Sequence, residues 1–143
     1  MLKRLFSTEP VLENGLAVIR IIVGVLIAAY GLETFEAEKM KSNIAWLTDI
    51  HFPAPVFMAY LGKIAELAGG IFLAAGLFTR IVSIPLIIDM AVVIIFMGNG
   101  KIFGDAQLPF LFALFFLTFI IYGGGKWSLD NLLFNRKNKQ YVA

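Results

Sequence analysis

Four ionisable residues stand inside otherwise apolar stretches of this sequence: Arg20, Lys63, Glu66 and Asp89. A charge near the middle of a bilayer costs roughly 2.5–3.5 kcal/mol on insertion scales, so such groups face a protein interior and find partners. Two are cations and two are carboxylates, so the set can neutralise itself. Lys63 and Glu66 are three residues apart and can pair along one helix. Short carboxylate side chains cannot reach far towards the headgroups. Glu66 and Asp89 are therefore the hardest to read as structural alone, and Glu66 is the strongest candidate for chemistry. A buried carboxylate beside an apolar cavity can exchange protons, and a neighbouring cation can stabilise negative charge on a ligand oxygen. Each charge also has a structural reading. Arg20 and Lys63 can snorkel to opposite headgroup layers. Arg80 can anchor a helix end, and Asp89 can serve as no more than the partner of Arg20.

The elements that must hold these groups are apolar helices. The chain has 143 residues, of which 59% are hydrophobic and 15% charged. Mean hydropathy is +0.84. A soluble domain carries roughly a quarter of its residues as charged side chains. Four apolar runs span about 15–32, 57–78, 81–97 and 106–122. Each approaches the ~20 residues that a helix needs to cross a bilayer. They do not alternate apolar and polar residues as barrel strands do. The reading is an all-α, integral membrane four-helix bundle forming a single transmembrane domain over residues 1–143. Pro85 is expected in the first turn of the third span, Asp105 as the N-cap of the fourth, and Gly123–Gly125 as its stop.

Lysine and arginine placement predicts orientation. One side carries Lys3, Arg4, Arg80, Lys126, Arg136, Lys137 and Lys139. The other carries Lys39, Lys41 and Lys101 among Glu33, Glu36, Glu38, Asp49 and Asp105. Both termini are expected in the cytoplasm, with a basic tail over 126–143 and an uncleaved signal-anchor at the start. Between the first two spans, Ala37, Met40, Ile44 and Leu47 share a helical face. This predicts a short helix in the outer interface, against the alternative of a plain polar loop. Leu129, Leu132 and Leu133 predict an amphipathic turn or two after the fourth span. Fourteen phenylalanines suit lipid contact and packing, and no basic run interleaved with aromatics points to nucleic acid.

Depth predicts the pairing. At ~1.5 Å per residue from Arg80, Asp89 lies ~13 Å in and Glu66 ~21 Å in. Arg20 reaching upward would pair with Asp89, while Lys63 pairs with Glu66. Tyr30 and Glu33 lie at similar height on the first span. Gly62, Gly69 and Gly76 recur every seven residues and let another helix approach. Arg20, Gly24 and Gly31 share a face of the first span. The absence of cysteine and a single histidine, His51, leave no thiolate site and no multi-histidine metal site within one chain.

The order of motifs is specific. Arg20-Ile-Ile-Val-Gly24 and Tyr30-Gly31 come first, then Pro53-Ala-Pro55 and Leu61-Gly-Lys-Ile-Ala-Glu66-Leu-Ala-Gly-Gly70. Gly76-Leu-Phe-Thr79-Arg80 and Gly123-Gly-Gly-Lys-Trp-Ser128-Leu-Asp130 follow. This set resembles the DoxX family of small bacterial membrane proteins over nearly the whole chain. The resemblance implies a multi-pass protein of the bacterial inner membrane. It also implies membership of a quinone-linked oxidoreductase or of a redox-stress complex. Arg20, Gly31, Glu66, Gly76, Thr79, Arg80, Ser128 and Asp130 match the family pattern. A lysine that the family often carries three residues after Gly31 is Thr34 here, and Lys63 can supply that charge instead.

Two classes of function follow. In the first, a quinone sits near Glu66, Tyr30 and Gly70, with Glu66, Arg20, Asp89 and Lys63 as the reactive or charge-stabilising groups. In the second, the protein is a non-catalytic scaffold, joined to a partner subunit or to further copies of itself, and the charges fix helix register. A small transporter ranks below both, because the fourth span offers no charged lining.

Overall fold

The computed structural model describes residues 15–99 and 101–135. The expected start of the signal-anchor, with Lys3 and Arg4, and residues 136–143 of the basic tail lie outside them. Among the described residues there are five α-helices: α1 (Gly15–Gly31), α2 (Ala37–Asp49), α3 (Pro55–Ala75), α4 (Thr79–Phe96) and α5 (Gln107–Tyr122). A 3₁₀ turn, Leu32–Phe35, continues α1, and a π-helical turn, Asn131–Asn135, follows α5. Among the described residues, three stretches are long and apolar enough to cross a membrane: Gly15–Phe35, Pro55–Ala75 and Thr79–Phe96. The fourth apolar helix, α5, has 16 residues. Large apolar side chains such as Val25, Ile71, Ile88 and Ile121 point outward. Water would penalise that surface and lipid would not. The fold is a helical membrane bundle.

The helices pair as α1 against α3 and α4 against α5, with α3–α4 contacts joining the pairs. Glycines set the first pairing. A Cβ at Gly24 would sit 2.5 Å from the backbone nitrogen of Ala74. One at Gly70 would meet the Ala28 backbone, and one at Gly31 the Leu67 backbone. The heptad glycines do different work. Gly69 faces Leu86 on α4, Gly62 faces Asp89, and Gly76 lies in the α3–α4 turn. The common core is Val23, Ile27, Leu73, Leu86, Met90, Phe112, Phe116 and Phe119.

The segment between the first two spans is indeed helical. Helix α2 buries Met40 and Leu47 against Ala59 of α3, with Trp46, Phe52 and Met58 around them. The turn after α3 closes as a Schellman motif. Gly76 is left-handed at φ 72°, its N–H donates to Leu73 O, and the Leu77 N–H donates to Phe72 O.

Two local expectations fail. Helix α4 begins at Thr79, so Pro85 lies inside it rather than in its first turn. Asp105 makes no side-chain cap; α5 starts after Ala106, and no side-chain hydrogen bond caps it. Gly123 does end α5, at φ 75°.

Candidate functional site

At the α2 end of the bundle the structure gathers charges from three elements. Lys63, on α3, is the hub. Its ammonium donates to Glu66 at 2.9 Å and pairs with Glu33 at 3.1 Å. It also lies 6.0 Å from the centre of the Tyr30 ring. The antiparallel register of α1 on α3, fixed by the glycine seam, brings Glu33 and Tyr30 to this height. Asp89 arrives from α4. It lines the same cavity as Glu66, and the two carboxyl groups lie close enough to influence each other. Gly62 makes room, because a Cβ there would lie 2.9 Å from Asp89 Oδ1.

The cluster ends at an exposed lysine. Glu33 pairs at 3.2 Å with Lys39, at the start of α2, and Lys39 pairs at 3.2 Å with Glu36. Hydrogen bonds donated to the carboxylates of Glu36 and then Glu33 hold the Lys39 ammonium above the ordinary lysine range. Exposure of the side chains rises along this series, from 9% at Glu66 to 21% at Glu33 and 50% at Lys39.

These groups border a cavity of about 460 Å³. Its apolar wall includes Ile27, Trp46, Leu47, Phe52, Ile88, Met90, Val93 and Phe112. Tyr30 and Phe112 meet edge to face, with ring centres 6.2 Å apart. Asn43, on α2, also lines the cavity, and its buried side-chain nitrogen has no hydrogen-bond partner among the described residues. The volume falls within the range of small-molecule sites, which combine apolar walls with a few placed polar groups.

Arg20 is elsewhere. It is 1% exposed and sits at the opposite end of the bundle. Its guanidinium donates to Leu73 O at 2.9 Å, Ala74 O at 3.4 Å and Trp127 O at 2.6 Å. The expected Arg20–Asp89 pair does not form. The last carbonyls of α3 form the negative end of that helix, and they capture the cation first. The same end carries Asp130, whose carboxylate accepts from the N–H groups of Phe78 at 2.6 Å and Thr79 at 2.9 Å. This caps α4 and supports Phe78, which is left-handed at φ 51°. The Asp130 N–H donates in turn to Gly76 O at 2.9 Å. The segment after α5 is thereby latched onto the α3–α4 turn. Ser128 starts the final turn by accepting from the Asn131 N–H at 3.1 Å.

Of the residues singled out in the sequence, Glu66, Lys63, Asp89 and Tyr30 converge on the cavity. Arg20 and Gly70 do not: Gly70 is buried under α1 in the glycine seam. Neither cation snorkels. Thr34 turns its hydroxyl back to Gly31 O at 2.7 Å. Glu33 and Asn43 belong to the site beyond the expected set. A signal for Glu33 existed in its match of height with Tyr30; Asn43 had none. His51 is an exposed loop residue at φ 56°.

No solved structure matches this chain. Three proteins are similar in sequence. CatD of Bacillus subtilis, named provisionally as an oxidoreductase, is 29% identical over 132 residues, covering 92% of this chain and 96% of CatD. The membrane protein Rv3486 of Mycobacterium tuberculosis, named as uncharacterised, is 31% identical over 134 residues, covering 82% of this chain and 80% of Rv3486. An uncharacterised protein of Haemophilus influenzae is 34% identical over 86 residues, covering 55% of this chain and 64% of that protein. The DoxX family profile matches residues 15–99. That stretch holds α1 to α4, and with them every residue of the charged cluster, and the match makes this chain a member of the DoxX family.

Proposed function

We propose that the protein is the membrane component of a quinone-linked oxidoreductase or redox-stress system of the bacterial inner membrane, and that the α2-end cavity is its quinone site. The carrying observation is the joining of one apolar cavity to a mixed cluster of Lys63, Glu66, Asp89 and Glu33. A quinone ring needs apolar walls, hydrogen-bond donors for two carbonyl oxygens, and a proton source. The walls are present, and the unpartnered Asn43 nitrogen supports the fit as a free donor. Lys63 is the second donor and a positive charge. Glu66 and Asp89 hold the exchangeable proton.

A bound quinone would supply the electron acceptor, chemistry that the chain's own side chains supply poorly. The chain's residues bind, orient and exchange protons. Tyr30 and Phe112 confine the ring, and Lys63 takes the position of the charge that Thr34 lacks. The distribution of basic loops supports an outer-face position for the α2 end. The name of the CatD relative supports the redox reading, since that protein resembles this chain along almost its whole length.

The test is extraction in mild detergent, followed by mass spectrometry of bound small molecules. Wild-type protein is expected to retain quinone, and Glu66→Gln and Lys63→Met to lose it with helix content unchanged. Protein that carries lipid alone, or a stable partner subunit alone, contradicts the quinone site and favours the scaffold.

A further inference from the structure

We propose that Glu66, Lys63 and Glu33 form a proton path joining the cavity to the aqueous phase on the α2 side of the membrane. The inference deepens the quinone reading and rests on it for what exchanges protons inside the cavity. The path itself rests on geometry. Glu66 borders the cavity beside Asp89. Lys63 bridges Glu66 at 2.9 Å and Glu33 at 3.1 Å. Glu33 is partly exposed and meets Lys39, which is half-exposed. Intramembrane carboxylate chains of this kind mark proton relays.

The transfer balances without electrons. An N–H bond of the Lys63 ammonium breaks and its proton goes to the Glu33 carboxylate, leaving an amine with a free lone pair. The O–H bond of a protonated Glu66 then breaks and its proton goes to that Lys63 nitrogen. Lys63 ends as an ammonium, Glu66 as a carboxylate and Glu33 as an acid that releases its proton to water. Asp89 beside Glu66 disfavours a second negative charge and so favours reprotonation of Glu66 from the cavity. The titratable groups facing Lys63 are Tyr30 and Glu33 from the α1 side, Glu66 from α3 and, through Glu66, Asp89 from α4; α5 presents Phe112. At the opposite end Arg20 is held by backbone carbonyls, which neither gain nor lose protons. The path therefore opens to one side.

The test uses the full chain in sealed vesicles of known orientation and follows the infrared C=O band of protonated carboxyls. Glu66→Gln and Asp89→Asn assign the band. In wild type, a pH step on the α2 side is expected to change the band, and a step on the other side is not. Glu33→Gln keeps the shape of the side chain and is expected to slow the response about tenfold or more. Lys41→Ala, at an exposed pair, is expected to leave it unchanged. A response driven from the opposite side, or an unaltered rate in folded Glu33→Gln, overturns the proposal. The band requires no quinone. A response in protein that binds none sustains the path and rejects the quinone site alone.

Discussion

The bundle carries charge at both ends, and the two ends are built on different principles. At the α3–α4 turn, charged side chains bind backbone: Arg20 binds carbonyl oxygens, and Asp130 binds N–H groups. At the α2 end, charged side chains bind one another around a void. Backbone partners do not titrate and do not move independently of the helices. Charge held that way sets geometry. Side-chain partners can exchange protons and turn towards a ligand. One end is a latch and the other a site.

The comparison can be broken by substitution. Arg20→Leu should have the largest effect on the fold. It removes charge-assisted bonds to Leu73 O and Trp127 O from a fully buried position. Such bonds contribute about 1.5–3 kcal/mol each, so a loss of about 3 kcal/mol is expected in detergent unfolding. Gly24→Leu should come close behind, because its Cβ falls 2.5 Å from Ala74 N. It should separate α1 from α3 at a cost of about 3 kcal/mol, seen as lost cross-linking between cysteines placed on the two helices.

Asp130→Asn should cost about 1 kcal/mol, as loss of a helix cap does, and lower the thermal midpoint without changing ligand binding. Glu66→Gln sharpens the contrast. Lys63 keeps Glu33 as a partner, so stability should change by less than about 1 kcal/mol while quinone binding falls about tenfold or more. Lys41→Ala is expected to change nothing beyond about 0.5 kcal/mol, because its pair with Glu38 is 72% and 87% exposed.

The sequence carried the helices well, because apolar runs of this length have one economical form in lipid. It also carried the Lys63–Glu66 pair, which one helical turn creates. Partners on other helices were harder. Asp89 comes close to Glu66 because of how α3 and α4 cross at Gly62, and no spacing within one segment encodes that. Arg20 was read as seeking a carboxylate, whereas the free carbonyls ending α3 were nearer. Asp130 caps a helix that begins 51 residues earlier in the chain. No local pattern announces such a cap. Pro85 reads as a helix start in sequence, yet Asp130 had already fixed that start at Thr79.

The most direct test of the contrast uses the two tryptophans, one at each end. Trp46 lines the cavity, and Trp127 lends only its backbone carbonyl to the latch. In a Trp127→Phe background, Trp46 alone reports when a short-chain quinone is titrated into protein held in lipid nanodiscs. The account predicts saturable quenching that Glu66→Gln abolishes and Asp130→Asn leaves intact. Quenching that never saturates and is equal in all three proteins would show quinone dissolved in lipid, and would contradict a binding site at the α2 end.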